Sequence, residues 1–351
     1  MSPRIFLTWF VVTVVTVVLA VVVGIGHETA SFDLLKREPV FEALRENPDA
    51  VAKVEVKSRF GEFTLQRVSG GWVSPDRADY PVKGSDVRRL IVGLSDMRFV
   101  ERKTANPDRF KRLEVQEISD ELSDSAYVKV SDANGKALAE VIVGRPSARF
   151  FSGSVSGAYI RFPETTDTWL VTSIANVQTR LVAWLDREIV TVPADQIARV
   201  SIGAGEGAYV LSRVDAKAAF SIEGAPKGRS LDQKKVRSVN RALADVELED
   251  VKQRSQFTLP KDSMVAEAVT FDGLSVRLRM AKIDKKNWAT FEASYVGDAS
   301  DVSDAATAAR DTAKAINFRV ANWVYWLPSA AFENLTRTVE ELLMPAVPEA
   351  S

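Results

Sequence analysis

Carboxylates are the side chains with the most chemical potential. Glu117, Asp120, Glu121 and Asp124 crowd one short stretch, and Asp298, Asp301 and Asp304 recur every third residue. Such groups can hold Ca²⁺, or supply the two acids of a hydrolase if they converge at about 5–9 Å. Neither cluster carries the Gly and terminal Glu of an EF-hand loop, so solvated surface is the plainer reading. Gly203, Gly205 and Gly207 superficially resemble a phosphate-cradling loop, but neither a helix nor a Lys-Ser/Thr pair follows. His27 is the only His and there is no Cys. That excludes thiol chemistry, Cys/His zinc sites and a Ser-His-Asp triad in the folded part. The sequence therefore names no catalytic, cofactor-binding or metal-ligating residue, no cofactor is expected, and the chain does not read as an enzyme.

Binding chemistry is the next possibility. Trp72, Tyr80, Trp169, Trp323 and Trp326 have apolar neighbours or turn residues beside them, which suits core packing or, alternatively, a stacking groove for glycan or a partner chain. Arg88, Arg89, Arg102, Lys103 and Arg109 make a locally basic region. It fits a solvated helix face or, more sharply, contact with anionic lipid headgroups. Across all 351 residues, 46 Lys and Arg balance 47 Asp and Glu, giving a formal charge of −1. No field for nucleic acid follows, and no nucleotide partner is expected.

The elements that would position these residues begin with a membrane segment. Residues 5–25 carry no charge, and about 20 apolar residues suffice for a helix to cross the hydrocarbon layer. Arg4 precedes the run and Glu28 follows it, so the positive-inside rule leaves the N-terminus in the cytoplasm. A cleaved signal peptide competes, but its apolar core is usually about 7–15 residues and ends at a small-x-small site. The expectation is an uncleaved signal-anchor over 1–26, with His27 at the interface. A polar tether over 27–50 would then carry a periplasmic body outside the bacterial inner membrane.

That body reads as a duplication. Residues 51–68 match 197–214 with six identities, among them Gly61 with Gly207, Leu65 with Leu211 and Arg67 with Arg213. Both copies alternate apolar and polar residues around a turn, the pattern of a β-hairpin with one buried face. Val87 to Met97 pairs with Val236 to Val246, and the apolar spacing at 87, 90, 91, 94 and 97 predicts an amphipathic helix. Strand signals follow in each copy, at 126–130 and 138–143, then at 266–271, 274–280 and 288–295. Each copy closes with an aromatic strand and a helix: 168–171 with 175–185, then 323–327 with 329–343. Residues 298–304 form a surface loop leading into a helix over 305–315. The expected fold class is α+β: a transmembrane helix, then two tandem domains of mainly antiparallel sheet with helices on one face. Their bounds are 51–190 and 191–344, with a disordered tail at 345–351.

A family resemblance rests on packing and turn residues. Gly71-Trp72-Val73, Tyr80-Pro81-Val82, Leu94-Ser-Asp-Met97, Val143-Gly144-Arg145, Ala158-Tyr159-Ile160, Thr168-Trp-Leu-Val171 and Trp184-Leu-Asp-Arg187 together resemble the bacterial DUF4340 family. Trp323 to Pro328 and Glu341-Leu-Leu343 are similar to that family's C-terminal end. The resemblance implies a membrane-anchored envelope protein without assigned activity, associated with auxiliary components of ABC-2 transporters of the gliding-motility type. It carries over no functional residue. The function expected is a non-catalytic periplasmic accessory or scaffold protein whose partners are the inner membrane, through residues 5–25, and subunits of an ABC transporter. An envelope glycan- or lipid-binding module is the alternative, and a carboxylate-dependent hydrolase the weakest one.

Overall fold

A computed structural model describes residues 13, 14, 16 and 37–344, apart from 121, 148–156, 173–174, 204 and 224–228. The chain divides into two compact units, Met1–Leu185 and Asp186–Ser351.

The first unit contains strands β1 (Val51–Ser58), β2 (Gly61–Val68), β3 (Gly71–Ser74), β4 (Tyr80–Val82), β5 (Phe99–Arg102), β6 (Ala126–Asp132), β7 (Ala137–Ser147), β8 (Gly157–Arg161) and β9 (Thr168–Thr172). They form one sheet in the order β4-β3-β2-β1-β6-β7-β8-β9-β5. Period-two alternation explains the hairpin at its heart. Val54 and Val56 of β1 face Leu65 and Phe63 of β2, and all four are buried. Fully burying a side chain of this kind contributes about 1.5–3 kcal/mol.

In the second unit, β10 (Glu188–Thr191) pairs with β14 (Asp245–Glu247). The main sheet joins β11 (Ile197–Ile202), β12 (Tyr209–Ser212), β13 (Ser221–Ile222), β15 (Asp250–Gln253), β16 (Met264–Thr270), β17 (Leu274–Ile283), β18 (Lys286–Tyr295) and β19 (Trp323–Leu327). Its order is β13-β12-β11-β16-β17-β18-β19-β15. Leaving out β4, the two orders correspond strand for strand. The register corresponds as well: Lys53 faces Gln66 where Arg199 faces Ser212. Even the irregularity recurs, since the β1–β6 ladder shifts between Val51 and Lys53 and the β11–β16 ladder between Ile197 and Arg199.

The helices Gly84–Ser95 and Gln233–Ala244 occupy matching places. One buries Val87, Leu90, Ile91 and Leu94, and the other buries Val236, Val239, Asn240 and Leu243. The fourfold match has one chemical exception, Asn240 where Ile91 stands.

Several expectations need correction. The α+β fold led by a transmembrane helix does not describe this protein: it is mostly antiparallel sheet with few helices. Among the described residues no helix is long and apolar enough to cross a membrane. The expected span at 5–25 lies outside the described residues except at positions 13, 14 and 16, and the expected tail at 345–351 lies wholly outside them. The helix expected over 175–185 is irregular chain with one short turn at Leu181–Ala183. Ala175, Trp184 and Leu185 are buried there without a regular helix, and Leu185 bridges to Val82 of β4. The helix expected over 329–343 is broken into Ser329–Leu335 and Val339–Leu342, because Thr338 and Glu341 form a capping box that starts a new helix.

Residues 37–50 lie against the first unit, whereas 27–36, the rest of the expected tether, fall outside the described residues. Phe41 and Leu44 are buried, the Val40 N–H donates to the Met97 carbonyl at 2.9 Å, and the Phe99 N–H to the Glu38 carbonyl at 3.1 Å.

Candidate functional site

The first unit contains a cavity of about 530 Å³ bordered by Phe110, Glu117, Asp120, Arg161, Glu164 and Thr165. Strand β8 supplies its central cation. That strand is buried at every position, so Arg161 enters the interior on an otherwise apolar segment. Each of its three nitrogens meets a protein acceptor. Nε donates to the Val115 carbonyl at 2.9 Å, Nη1 to the Thr165 carbonyl at 3.0 Å and Nη2 to Glu117 Oε1 at 2.6 Å. The guanidinium also lies 4.9 Å from the centroid of the Phe110 ring.

The surrounding chain is shaped to deliver those acceptors. Glu114 ends the short helix Phe110–Leu113 in the left-handed conformation, with φ 57°. That turn carries the chain from Leu113 to Val115 across Gly144 of β7. A Cβ on Gly144 would collide with the Leu113 carbonyl oxygen, and would approach Val115 Cγ1 to 2.6 Å and the Glu114 carbonyl oxygen to 2.8 Å. Phe110, Val115, Ile142, Tyr159 and Leu170 form one buried cluster beneath.

The first acidic cluster is therefore divided among separate structural tasks. Glu117 pairs with Arg161, Asp120 accepts from Gln116 and from the Leu122 N–H, and Asp124 meets Arg59 at 2.9 Å. Glu121 lies outside the described residues. The second cluster shapes a loop. Asp298 accepts the Ser300 N–H and Asp301 the Ser303 N–H, both at 2.8 Å. Asp304 opens the helix Asp304–Val320, capped by Ser303. Arg310 ties the loop down through the carbonyls of Asp301, Asp298 and Ala299, its guanidinium 4.3 Å from the centroid of Tyr295.

Ionisation follows these contacts. Asp298, Asp301 and Glu341 are all held below their ordinary pKa, first by the backbone N–H groups of Ser300, Ser303 and Thr338. A general acid needs the opposite shift. Burial pushes the Tyr209 phenol up to about 12. It also raises Tyr127, reinforced by the hydrogen bond to Glu140 at 2.7 Å. Both hydroxyls stay neutral near pH 7. Among the described residues no group of three or more His, Asp or Glu side chains is placed to hold a metal ion.

The remaining candidates also serve the fold. Gly203, Gly205 and Gly207, with φ of 81°, 82° and 85°, lie in the connection between β11 and β12, where positive φ favours Gly. Arg89 pairs with Asp86, Arg102 with Asp167 and Lys103 with Glu101, so most of the basic region is neutralised locally. Of the tryptophans, Trp184 and Trp288 are buried, and Trp72, Trp169, Trp323 and Trp326 are half-buried. Trp169 packs edge-on against Phe99 at 4.9 Å, and Lys286 covers Trp326 at 4.4 Å. His27 lies outside the described residues.

Sequence reasoning missed Arg161. Its signal is an arginine closing the apolar run Gly157-Ala-Tyr-Ile-Arg161, a charge that must find partners wherever that strand is buried.

In comparison with known families, the model for Domain of unknown function (DUF4340) matches residues 72–265, from β3 into β16. No curated protein and no solved structure is matched.

Proposed function

The chain belongs to the DUF4340 family, and on that footing we propose that it is a non-catalytic accessory or scaffold protein of the bacterial cell envelope. In this reading it serves an ABC-2-type transport system of the gliding-motility kind and contacts its permease or ATPase subunits. A periplasmic body attached at the inner membrane is part of the proposal, supported by the uncharged stretch 5–25 and by Arg4 before it.

One observation carries the non-catalytic reading. The central polar groups of the first unit's cavity are bound to one another: all three nitrogens of Arg161 are engaged by Val115, Thr165 and Glu117, and Gln116 donates to Asp120. Groups bound in this way hold a shape, and neither Arg161 nor Glu117 is poised as a base beside a nucleophile. The packed tryptophans give less support to glycan stacking, which needs open aromatic faces.

The test is a pull-down of the tagged full chain from detergent-solubilised membranes of its own host. Recovery of ABC permease or ATPase subunits is expected, and recovery of neither overturns the proposal.

A further inference from the structure

The second unit concentrates unpaired positive charge on one helix. Lys234, Arg237 and Arg241 follow one another on the exposed side of Gln233–Ala244 at spacings of three and four residues, which places them on one face. Two concavities flank this face, of about 400 and 420 Å³, and Arg237 and Arg241 line both. Lys217 reaches the first concavity and Lys234 the second.

None of these four cationic groups forms an ion pair or side-chain hydrogen bond within the described residues. That separates them from Arg213 beside them. Arg213, which also lines the first concavity, donates to the carbonyls of Ile197, Ala216 and Ala194. Against the four stand two lining carboxylates, Asp195 and Asp245. With Arg213 the linings hold five cations against two carboxylates, an excess of positive charge that favours an anionic occupant.

The first unit shows that the fold does not require this charge. At the matching positions its helix has Ser85, Arg88 and Val92, and its next arginine, Arg89, is paired with Asp86 at 2.8 Å. The second unit has also exchanged buried Ile91 for Asn240, whose Nδ2 donates to the Ala194 carbonyl at 2.9 Å beside the first concavity. Asn240 Oδ1 is buried and has no partner among the described residues. Like charges one helical turn apart destabilise a helix, a cost that a bound anion would remove.

We propose that the two concavities flanking Gln233–Ala244 bind a small organic phosphate ester. Its phosphate would sit between Arg237 and Arg241, and its organic part would extend into the concavity that Phe220 helps to wall. Paired guanidinium forks suit phosphate oxygens geometrically, and each volume lies within the range of small-molecule sites. A flat bilayer surface meets protruding groups, whereas these arginines line hollows. A soluble ester is therefore the occupant the shape favours.

Calorimetric titration of the full chain with sn-glycerol 3-phosphate at low salt tests this. Saturable binding is expected for the wild type, and neutral glycerol should give none. The double variant Arg237→Gln/Arg241→Gln should lose at least tenfold in affinity, and Lys217→Gln about threefold. Arg88→Gln in the first unit should change nothing. All four residues are exposed, and unchanged circular dichroism would show that the variants fold. Absence of saturable wild-type binding, or equal affinity in the double variant, overturns the proposal. So does binding to phosphatidylglycerol vesicles without binding of the soluble ester.

Discussion

Arg161 and Glu117 form an ion pair at 2.6 Å whose two ends lie in different surroundings: the arginine side chain is 2% exposed and the glutamate 65%. The pair is therefore unequal in what each member holds. Arg161 also satisfies two backbone carbonyls and packs on Phe110, while Glu117 is largely hydrated.

Arg161→Met should destabilise the first unit by about 2–4 kcal/mol, since it removes three hydrogen bonds and leaves the carbonyl of buried Val115 without its donor. Glu117→Gln should cost clearly less, because the amide oxygen can still accept and the lost charge faces water. Urea unfolding of both variants checks the order, and an equal or reversed ranking refutes it.

Gly144→Ala should destabilise the same unit by about 1–3 kcal/mol or more. The added methyl meets backbone at Leu113 and Glu114, which cannot swing aside as a side chain would. A lowered thermal midpoint with unchanged far-ultraviolet circular dichroism is expected. A midpoint equal to wild type would show that the crossing chain gives way.

Trp184 is fully buried and its indole N–H donates to the Gln178 carbonyl at 2.8 Å. Trp184→Phe keeps most of the apolar contact and removes that bond, for a loss of about 1–3 kcal/mol. Trp184→Ala should cost about 3–5 kcal/mol. Denaturation midpoints of the two variants separate the hydrogen bond from the packing.

The loop at Asp298–Asp304 should respond to acid. Asp298 and Asp301 have folded pKa values below their unfolded ones, so their contribution is present above the ordinary aspartate value, about 3.9, and lost as pH falls through the lower folded value. Carboxyl-carbon NMR titration should place both midpoints below about 3.9. Midpoints at or above that value refute the assignment.

How much of this was legible depends on how local each signal was. The hairpin at 51–68 could be read because alternation and its turn lie within a few residues, and the register it implies recurs at 197–214. The helix beginning near Val87 could be read from its 3.6-residue spacing. Residues 175–185 show a similar apolar density, yet Arg180 is extended, at φ −116° and ψ 132°, and Leu185 bridges to Val82. A partner about a hundred residues away decides that conformation, and no window on the sequence contains it. The break before Val339 was missed, although Thr338 and Glu341 have capping-box spacing. The alanines at 306, 309 and 313 give a weakly apolar face, yet all three are buried in a helix that runs on to Val320, where Asn317 exchanges hydrogen bonds with Ala293 of β18. Whether a charge is paired is the least legible property of all. Arg102 pairs with Asp167, sixty-five positions away, and only the fold shows that partner.

The strand orders bear on how the protein survives crowding. Long, flat, unpaired strand margins invite intermolecular pairing and aggregation. Here the outermost strands are unsuited to that. β13 has only two residues, β4 carries Pro81 at its centre, and β5 is flanked at its start by the bridge from Pro39 to Arg98 and bears the charges of Glu101 and Arg102. β15 is four residues long and carries Asp250 and Lys252. The two large sheets thus have margins too short, too charged or too interrupted to template a neighbour readily.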